Sequence, residues 1–260
     1  MRWLERLTGS RAPPVNPMDE ASAAAKAGDY AAALALWEPL ARAGVTRAQN
    51  NIGACFSEGL GVECDPALAV KWLSLAAEGG DPLGQRNLAT AYFNGWGVVR
   101  DGARAAELYR AAAEQGDGEA QDMLSWILLE GDLIQFDLEE AHRWAFAAAE
   151  NGVAAAMTRL GMLYHDAIGV ERDPAGAAEW WRRGAEKGDA DAQAMLGAAH
   201  HLGRGVALDR VAALAWLLRG EAGGSTLPAR FLGAARAALS PDEIAEAERR
   251  AKQALPGAAP

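Results

Sequence analysis

The sequence predicts an all-α fold, a right-handed α/α superhelical solenoid of 36-residue helix–turn–helix repeats. Three observations predict it. The chain matches itself at a shift of 36, with full units beginning at Thr46, Pro82, Gly118, Ala154 and Ala190 and no insertion needed to hold register. Glycine pairs recur at one place in the units and an aspartate at another, which is how a helix end followed by a helix start is written. Hydrophobic residues make up 50% of the chain, but Ala and Leu outweigh Val and Ile, which favours closely packed helices over sheets. A stacked array escapes the size limit of one core because each repeat buries its face on its neighbours, so 260 residues do not require two domains.

Residues 1–17 are expected to be a flexible N-terminal segment. Charge is spread through Met1 to Ser10, the apolar run of a secretory signal is missing, and Pro13, Pro14 and Pro17 mark a linker. Trp3, Leu4 and Leu7 could line one face of a short interfacial helix; a frayed terminus is the alternative. Residues 18–45 read as an N-terminal capping half-repeat, in which Asp29, Ala33 and Leu36 keep second-helix register without a Gly-x-Gly turn.

Residues 46–226 are the five full repeats. The first helix of each carries Gln49, Gln85, Gln121, Met157 and Gln193 in one column, and Ile52, Leu88, Leu124, Leu160 and Leu196 three residues on, all on one helical face. The next column is small (Gly53, Ala89, Ser125, Gly161, Gly197). Small residues in mid-helix cost propensity unless a neighbouring helix approaches closely, so tight packing is expected there. A turn follows at Gly59-x-Gly61-Val62, Gly95-x-Gly97-Val98 and Gly203-x-Gly205-Val206, its first glycine supplying the positive φ that ends a helix. Asp65, Asp101, Asp137, Asp173 and Asp209 then cap the second helix, with Pro66 and Pro174 at the first helical position. That helix carries Ala69, Ala105, Ala141, Ala177 and Ala213, then a bulky column at Trp72, Leu108, Trp144, Trp180 and Trp216. It closes through Glu78 to Asp81, Glu114 to Asp117 or Glu186 to Asp189, a short link to the next unit. Residues 227–260 read as C-terminal capping helices and a tail: Leu232-Gly233 fits the first-helix columns, and Ser240-Pro241-Asp242-Glu243 is a capping box opening a charged helix that solvates the open end.

These columns resemble the Sel-one-like repeat family, a branch of the tetratricopeptide-repeat superfamily, whose unit reads A-x-A-Q-x-x-L-G-x-x-Y-x-x-G-x-G-V, then D-x-x-x-A-x-x-W-x-x-x-A-A-x-x-G. The match runs through Ala48, Gln49, Gly59, Gly61, Val62, Asp65, Ala69, Trp72, Ala76 and Ala77 and recurs in the other units. The third unit departs from it, having lost the second glycine between Gly131 and Phe136, and the fourth carries Ala167 in place of the first. The resemblance implies an adaptor that binds protein, and it supplies no catalytic residues. Some secreted relatives are disulfide-rich and have been associated with penicillin binding. This chain lacks their paired cysteines in every unit, and its Cys55 and Cys64 are expected to be free thiols.

The net charge of −10 disfavours nucleic acid and anionic membrane surfaces as partners. No run approaches the roughly 20 apolar residues of a membrane span, and a cytoplasmic protein is expected. The Gly-x-Gly pairs recur with the period and are turns, not phosphate loops; H-E-x-x-H, C-x-x-C and any nucleophile–base constellation are missing. The expectation is therefore no enzyme, no cofactor and no metal. His165 and His201 share a column, with Asp166 and His200 beside them, but neighbouring helices about 8–10 Å apart are too wide for easy shared ligation. His142 and the second-helix carboxylates are assigned to a solvated outer face.

The working surface is expected on the concave first-helix groove. Its candidates are Arg47, Asn51, Arg86, Asn87 and Phe93 at one end, Asp122, Met123, Trp126 and Leu129 in the third unit, then Arg159, Met162, His165, Met195 and His201. Met123, Trp126, Leu129, Met162 and Met195 would make an apolar strip, of the residue types enriched where proteins meet. Asn51 and Asn87 stand in the column from which related tetratricopeptide arrays hold a peptide backbone or terminal carboxylate, and Arg47 and Arg86 would add an anion anchor. The expected partner is a protein or peptide, and the chain a monomer or weak homodimer. An envelope-associated regulator and a hydrolase acting on cell-wall material are the alternative functions.

Overall fold

The computed structural model describes residues 16–131 and 134–255. The N-terminal segment with Trp3, Leu4 and Leu7, residues Asp132 and Leu133, and the end of the tail lie outside them. Among the described residues the chain is helix and turn without strands, an α-solenoid of tandem helix hairpins. The helices are α1 (Pro17–Lys26), α2 (Tyr30–Arg42), α3 (Thr46–Glu58), α4 (Pro66–Glu78), α5 (Pro82–Asn94), α6 (Gly102–Glu114) and α7 (Gly118–Glu130). They continue as α8 (Leu138–Glu150), α9 (Ala154–Asp166), α10 (Pro174–Glu186), α11 (Ala190–Leu202), α12 (Arg210–Ala222), α13 (Leu232–Ala237) and α14 (Pro241–Lys252), with a 3-10 turn at Leu227–Arg230. The chain divides into two compact units, the first ending at Ala112 and the second starting at Ala113.

Local chemistry starts and stops each helix. Oδ1 of Asp65, Asp101, Asp137, Asp173 and Asp209 accepts the backbone N–H of Leu68, Arg104, Glu140, Gly176 and Ala212, at 2.9 Å in each case. Each such cap contributes about 1 kcal/mol. Asp81, Asp117 and Asp189 cap first helices in the same way, whereas α3 and α9 follow Val45 and Val153 without a side-chain cap. First helices end on a left-handed residue, glycine in α3, α5, α7 and α11, but α9 ends on Ala167 at φ 57°. The second turn glycine has a different task. A Cβ on Gly97 would overlap the Pro66 carbonyl, one on Gly205 the Pro174 carbonyl, and one on Gly169 would come within 2.8 Å of Leu138 Cβ. These three turns therefore rest on the start of the preceding second helix.

The small first-helix column is explained by what lies over it. A Cβ on Gly53 would stand 2.7 Å from Leu73 Cγ, one on Gly197 2.8 Å from Leu217 Cγ, and one on Gly161 would fall inside the Trp181 indole. The core column of the second helices is thus Leu73, Tyr109, Ala145, Trp181 and Leu217, all buried. The neighbouring bulky column is more exposed: Trp72, Trp144, Trp180 and Trp216 are only half-buried, whereas Leu108 is buried. The glutamine column proves to be a clamp. Nε2 of Gln49, Gln121 and Gln193 donates to the carbonyls of Ala41, Ala113 and Ala185 at 3.0, 3.0 and 3.2 Å, tying each first helix to the last turn of the helix before it. Met157 fills that place in the fourth repeat with a buried apolar side chain.

At the C-terminal end, Ile244 and Ala247 of α14 pack with Leu214 and Leu217 of α12. The Ser240/Glu243 capping box opens α14, and the Arg219 guanidinium closes it by donating to the carbonyls of Arg250 and Gln253 at 2.5 and 2.6 Å. Helix α14 is therefore amphipathic, with Glu246 paired to Arg249 and Arg250 on its wet side.

Candidate protein-binding surface

The sequence candidates lie on first helices, and the structure separates those that face solvent from those that join one helix to the next. In the first unit Asn87 Nδ2 donates to Asn50 Oδ1 at 2.8 Å, and Asn50 Nδ2 to Asn51 Oδ1 at 3.3 Å. Asn50 is buried, so this amide chain stitches α5 to α3. Arg47 Nε donates to Asp81 Oδ1 at 3.0 Å while its side chain stays 48% exposed. Arg86 and Phe93 are half-buried on α5, and the Arg100 guanidinium lies 5.9 Å from the Phe93 ring centre.

In the second compact unit the same two columns, in the third and fourth repeats, hold an ion pair. Arg159 donates through Nε and Nη2 to both oxygens of Asp122 at 3.1 to 3.2 Å, with side chains only 17% and 11% exposed. Asp122 and Arg159 thus spend their charge on each other, between α7 and α9. Around them Met123, Trp126 and Leu129 are half-buried on α7, Met195 is half-buried on α11, and Met162 on α9 is 39% exposed. Leu129 packs against the Leu160 and Leu163 cluster and Met195 against the Trp181 and Leu196 cluster. Met162 is the member of the strip that reaches furthest into solvent.

The two column-mate histidines each have their own partner. His165 Nδ1 is 2.7 Å from Asp166 Oδ1 and its ring centre 5.5 Å from that of Trp181, while His201 meets the edge of Phe231 at 6.1 Å. Among the described residues no three His, Cys, Asp or Glu side chains converge on a point that could hold a metal. His142 is not on the solvated face expected of it. It is half-buried, its Nε2 is 3.2 Å from the Tyr164 hydroxyl, and burial holds its pKa below the ordinary value. Cys55 and Cys64 are both free; burial raises the Cys55 thiol pKa, with Glu58 adding to the effect, and Cys64 Sγ donates to the Ser57 carbonyl at 3.3 Å.

Sequence reading missed Trp96. It is 61% exposed at the middle of the Gly95–Gly97 turn and borders a cleft of about 490 Å³ between α3, α4 and α5. The signal was present, since a tryptophan between two turn glycines has no helix face on which to bury itself.

The Sel1 repeat family model matches residues 46–81, 82–117, 118–153, 154–189 and 190–225. The fold is similar to the crystal structure of a Sel1 repeat protein from Oxalobacter formigenes, with 30% identity over 94% of this chain and 99% of that one and a TM-score of 0.80. It also matches a protective antigen of uropathogenic Escherichia coli displaying an SLR fold, at 24% identity over 90% of this chain and 67% of that one, with a TM-score of 0.41. No curated protein sequence matches the chain. Five consecutive units without a gap, on hairpins whose caps, turns and clamps repeat with them, establish that the chain belongs to the Sel1 repeat family.

Proposed function

We propose that the protein is an interaction scaffold whose second unit receives a partner segment on the first-helix strip of Met123, Trp126, Leu129, Met162 and Met195. Sel1 repeats are in general protein–protein interaction modules, and proteins built from them are typically non-catalytic. The observation that carries the finer reading is the contrast within one face. The polar residues Asp122 and Arg159 are consumed by each other, while the apolar side chains beside them stay partly in water. Trp and Met are residue types enriched at protein interfaces, and a locked ion pair beneath them gives a rigid base for docking.

The polar end of the first unit supports a weaker version of the carboxylate anchor. Asn51 and Asn87 are half-buried, and Arg47 still exposes half of its side chain beyond Asp81. We assign the protein to the cytoplasm, a reading supported by its two unpaired thiols. We take it to be a monomer or weak homodimer, since the net charge of −10 opposes self-association. Among the described residues no helix is long and apolar enough to cross a membrane.

Site-specific photo-crosslinking tests the assignment of the face. A benzophenone side chain at Met162 should trap a defined partner in cell extract, and the same group at Phe146, 45% exposed on the second helix α8, should not. Equal trapping from both positions, or trapping from Phe146 alone, would remove the first-helix strip from consideration.

A further inference from the structure

The cleft beside Trp96 lies in the first unit and is independent of the strip around Trp126. Its lining includes an aliphatic part, Ala54 of α3, Val70 and Leu73 of α4 and Ala91 of α5, beside the polar Ser57, Asn87 and Thr90, and Glu58 and Trp96 also line it. Both are exposed. Glu58, in the last turn of α3, has no ion pair among the described residues. Trp96 has no cation over its ring among them, although the fold places guanidinium groups on tryptophans twice elsewhere, Arg183 over Trp180 at 4.1 Å and Arg219 over Trp216 at 5.5 Å.

The backbone that carries the indole is fixed. Gly95 and Gly97 on either side of it sit at φ 75° and 70°, conformations closed to most residues, and Gly97 is pressed against the Pro66 carbonyl at the start of α4. A large aromatic side chain kept in water by a tightly specified turn is disfavoured by its own hydration, so a ligand that covers it gains that area.

We propose that this cleft binds an arginine side chain of a partner protein, with the guanidinium between the Trp96 indole and the Glu58 carboxylate and the methylene stem on the aliphatic part of the lining. The charge selects the occupant. An apolar side chain would cover the aliphatic part but leave the Glu58 carboxylate without a partner. Lysine would satisfy Glu58 as a point charge, whereas the flat guanidinium can stack on the indole and fork onto the carboxylate at once. The net charge of −10 draws a basic segment toward the protein at long range.

Nuclear magnetic resonance on the full chain tests this, reading the Trp96 indole N–H assigned through Trp96→Phe. The probes are the capped tripeptides acetyl-Leu-Arg-Leu-amide, acetyl-Leu-Lys-Leu-amide and acetyl-Leu-norleucine-Leu-amide. The arginine peptide should shift the Trp96 resonance with saturation, the lysine peptide should bind more weakly, and Glu58→Gln should weaken the arginine peptide about tenfold while leaving the rest of the spectrum in place. If the norleucine peptide shifts Trp96 at equal or lower concentration, or Glu58→Gln changes nothing, the cleft is an apolar pocket and the proposal fails. No shift at Trp96 with the arginine peptide at millimolar concentration overturns it outright. Because the readout is Trp96, a negative result leaves the Trp126 strip untouched.

Discussion

Ala167 carries a backbone cost that its counterparts avoid. At φ 57° it is the one non-glycine residue in the left-handed region among those described, where the Cβ of an L-residue crowds the following carbonyl. Ala167→Gly should raise stability by about 0.5 to 1 kcal/mol, the steric relief being partly offset by the greater freedom of glycine in the unfolded chain. Urea unfolding measures it, and a lower midpoint at unchanged slope would contradict the strain. This position was legible in the sequence because the repeat put glycine there in other units. His142 was not legible, because its partner Tyr164 lies in the next helix and no column pairs them. Burial lowers its pKa below the ordinary 6.5. Above that pH both folded and unfolded imidazoles are neutral. As pH falls through it, the unfolded chain takes up a proton that the folded site resists, so stability is lost until the folded pKa is passed as well. His142→Gln should therefore lose less melting temperature between pH 7.5 and pH 5.5 than the parent chain; an equal loss would show that the group does not contribute.

Between elements, the repeat is coupled by polar side chains that the sequence displayed but could not connect. Asn50 with Asn87 and Asp122 with Arg159 use the same two columns, the first residue on one first helix and the second on the next. Columns report which residues are equivalent, not which equivalent residues touch, so Asp122, Arg159 and Asn87 read as groove groups when they also serve as couplers. The core column shows the same limit. Positions 72 and 73 are about 100° apart on a helix, both are bulky in most units, and only packing under Gly53 or Gly197 decides that Leu73 and Leu217 go inside. Breaking the mostly buried Asp122–Arg159 pair should be costly. Asp122→Ala should destabilise by about 2 to 4 kcal/mol, because Arg159 is left without its partner, and Asp122→Ala with Arg159→Met should cost less than the sum of the two single changes. Denaturant unfolding of the four proteins provides the cycle, and simple additivity would mean that the pair is not coupled.

For the whole molecule, the fold was readable because it is local and repeated. Aspartate caps, left-handed turn residues and small columns act within a hairpin, and five copies in one register leave little room for another fold. Binding surfaces are set by what the fold leaves over. Trp96 is left in a turn by glycines the sequence had already explained as turn residues, and Trp126 is left on a face whose charges cancel beneath it. The second of these is the central functional claim, and Trp126→Ala tests it most directly. With the partner trapped through Met162 in hand, calorimetry on the parent chain and the variant, at a temperature where both are fully folded, should show affinity reduced tenfold or more, the size of an interface hot spot. Affinity equal to that of the parent would contradict the account.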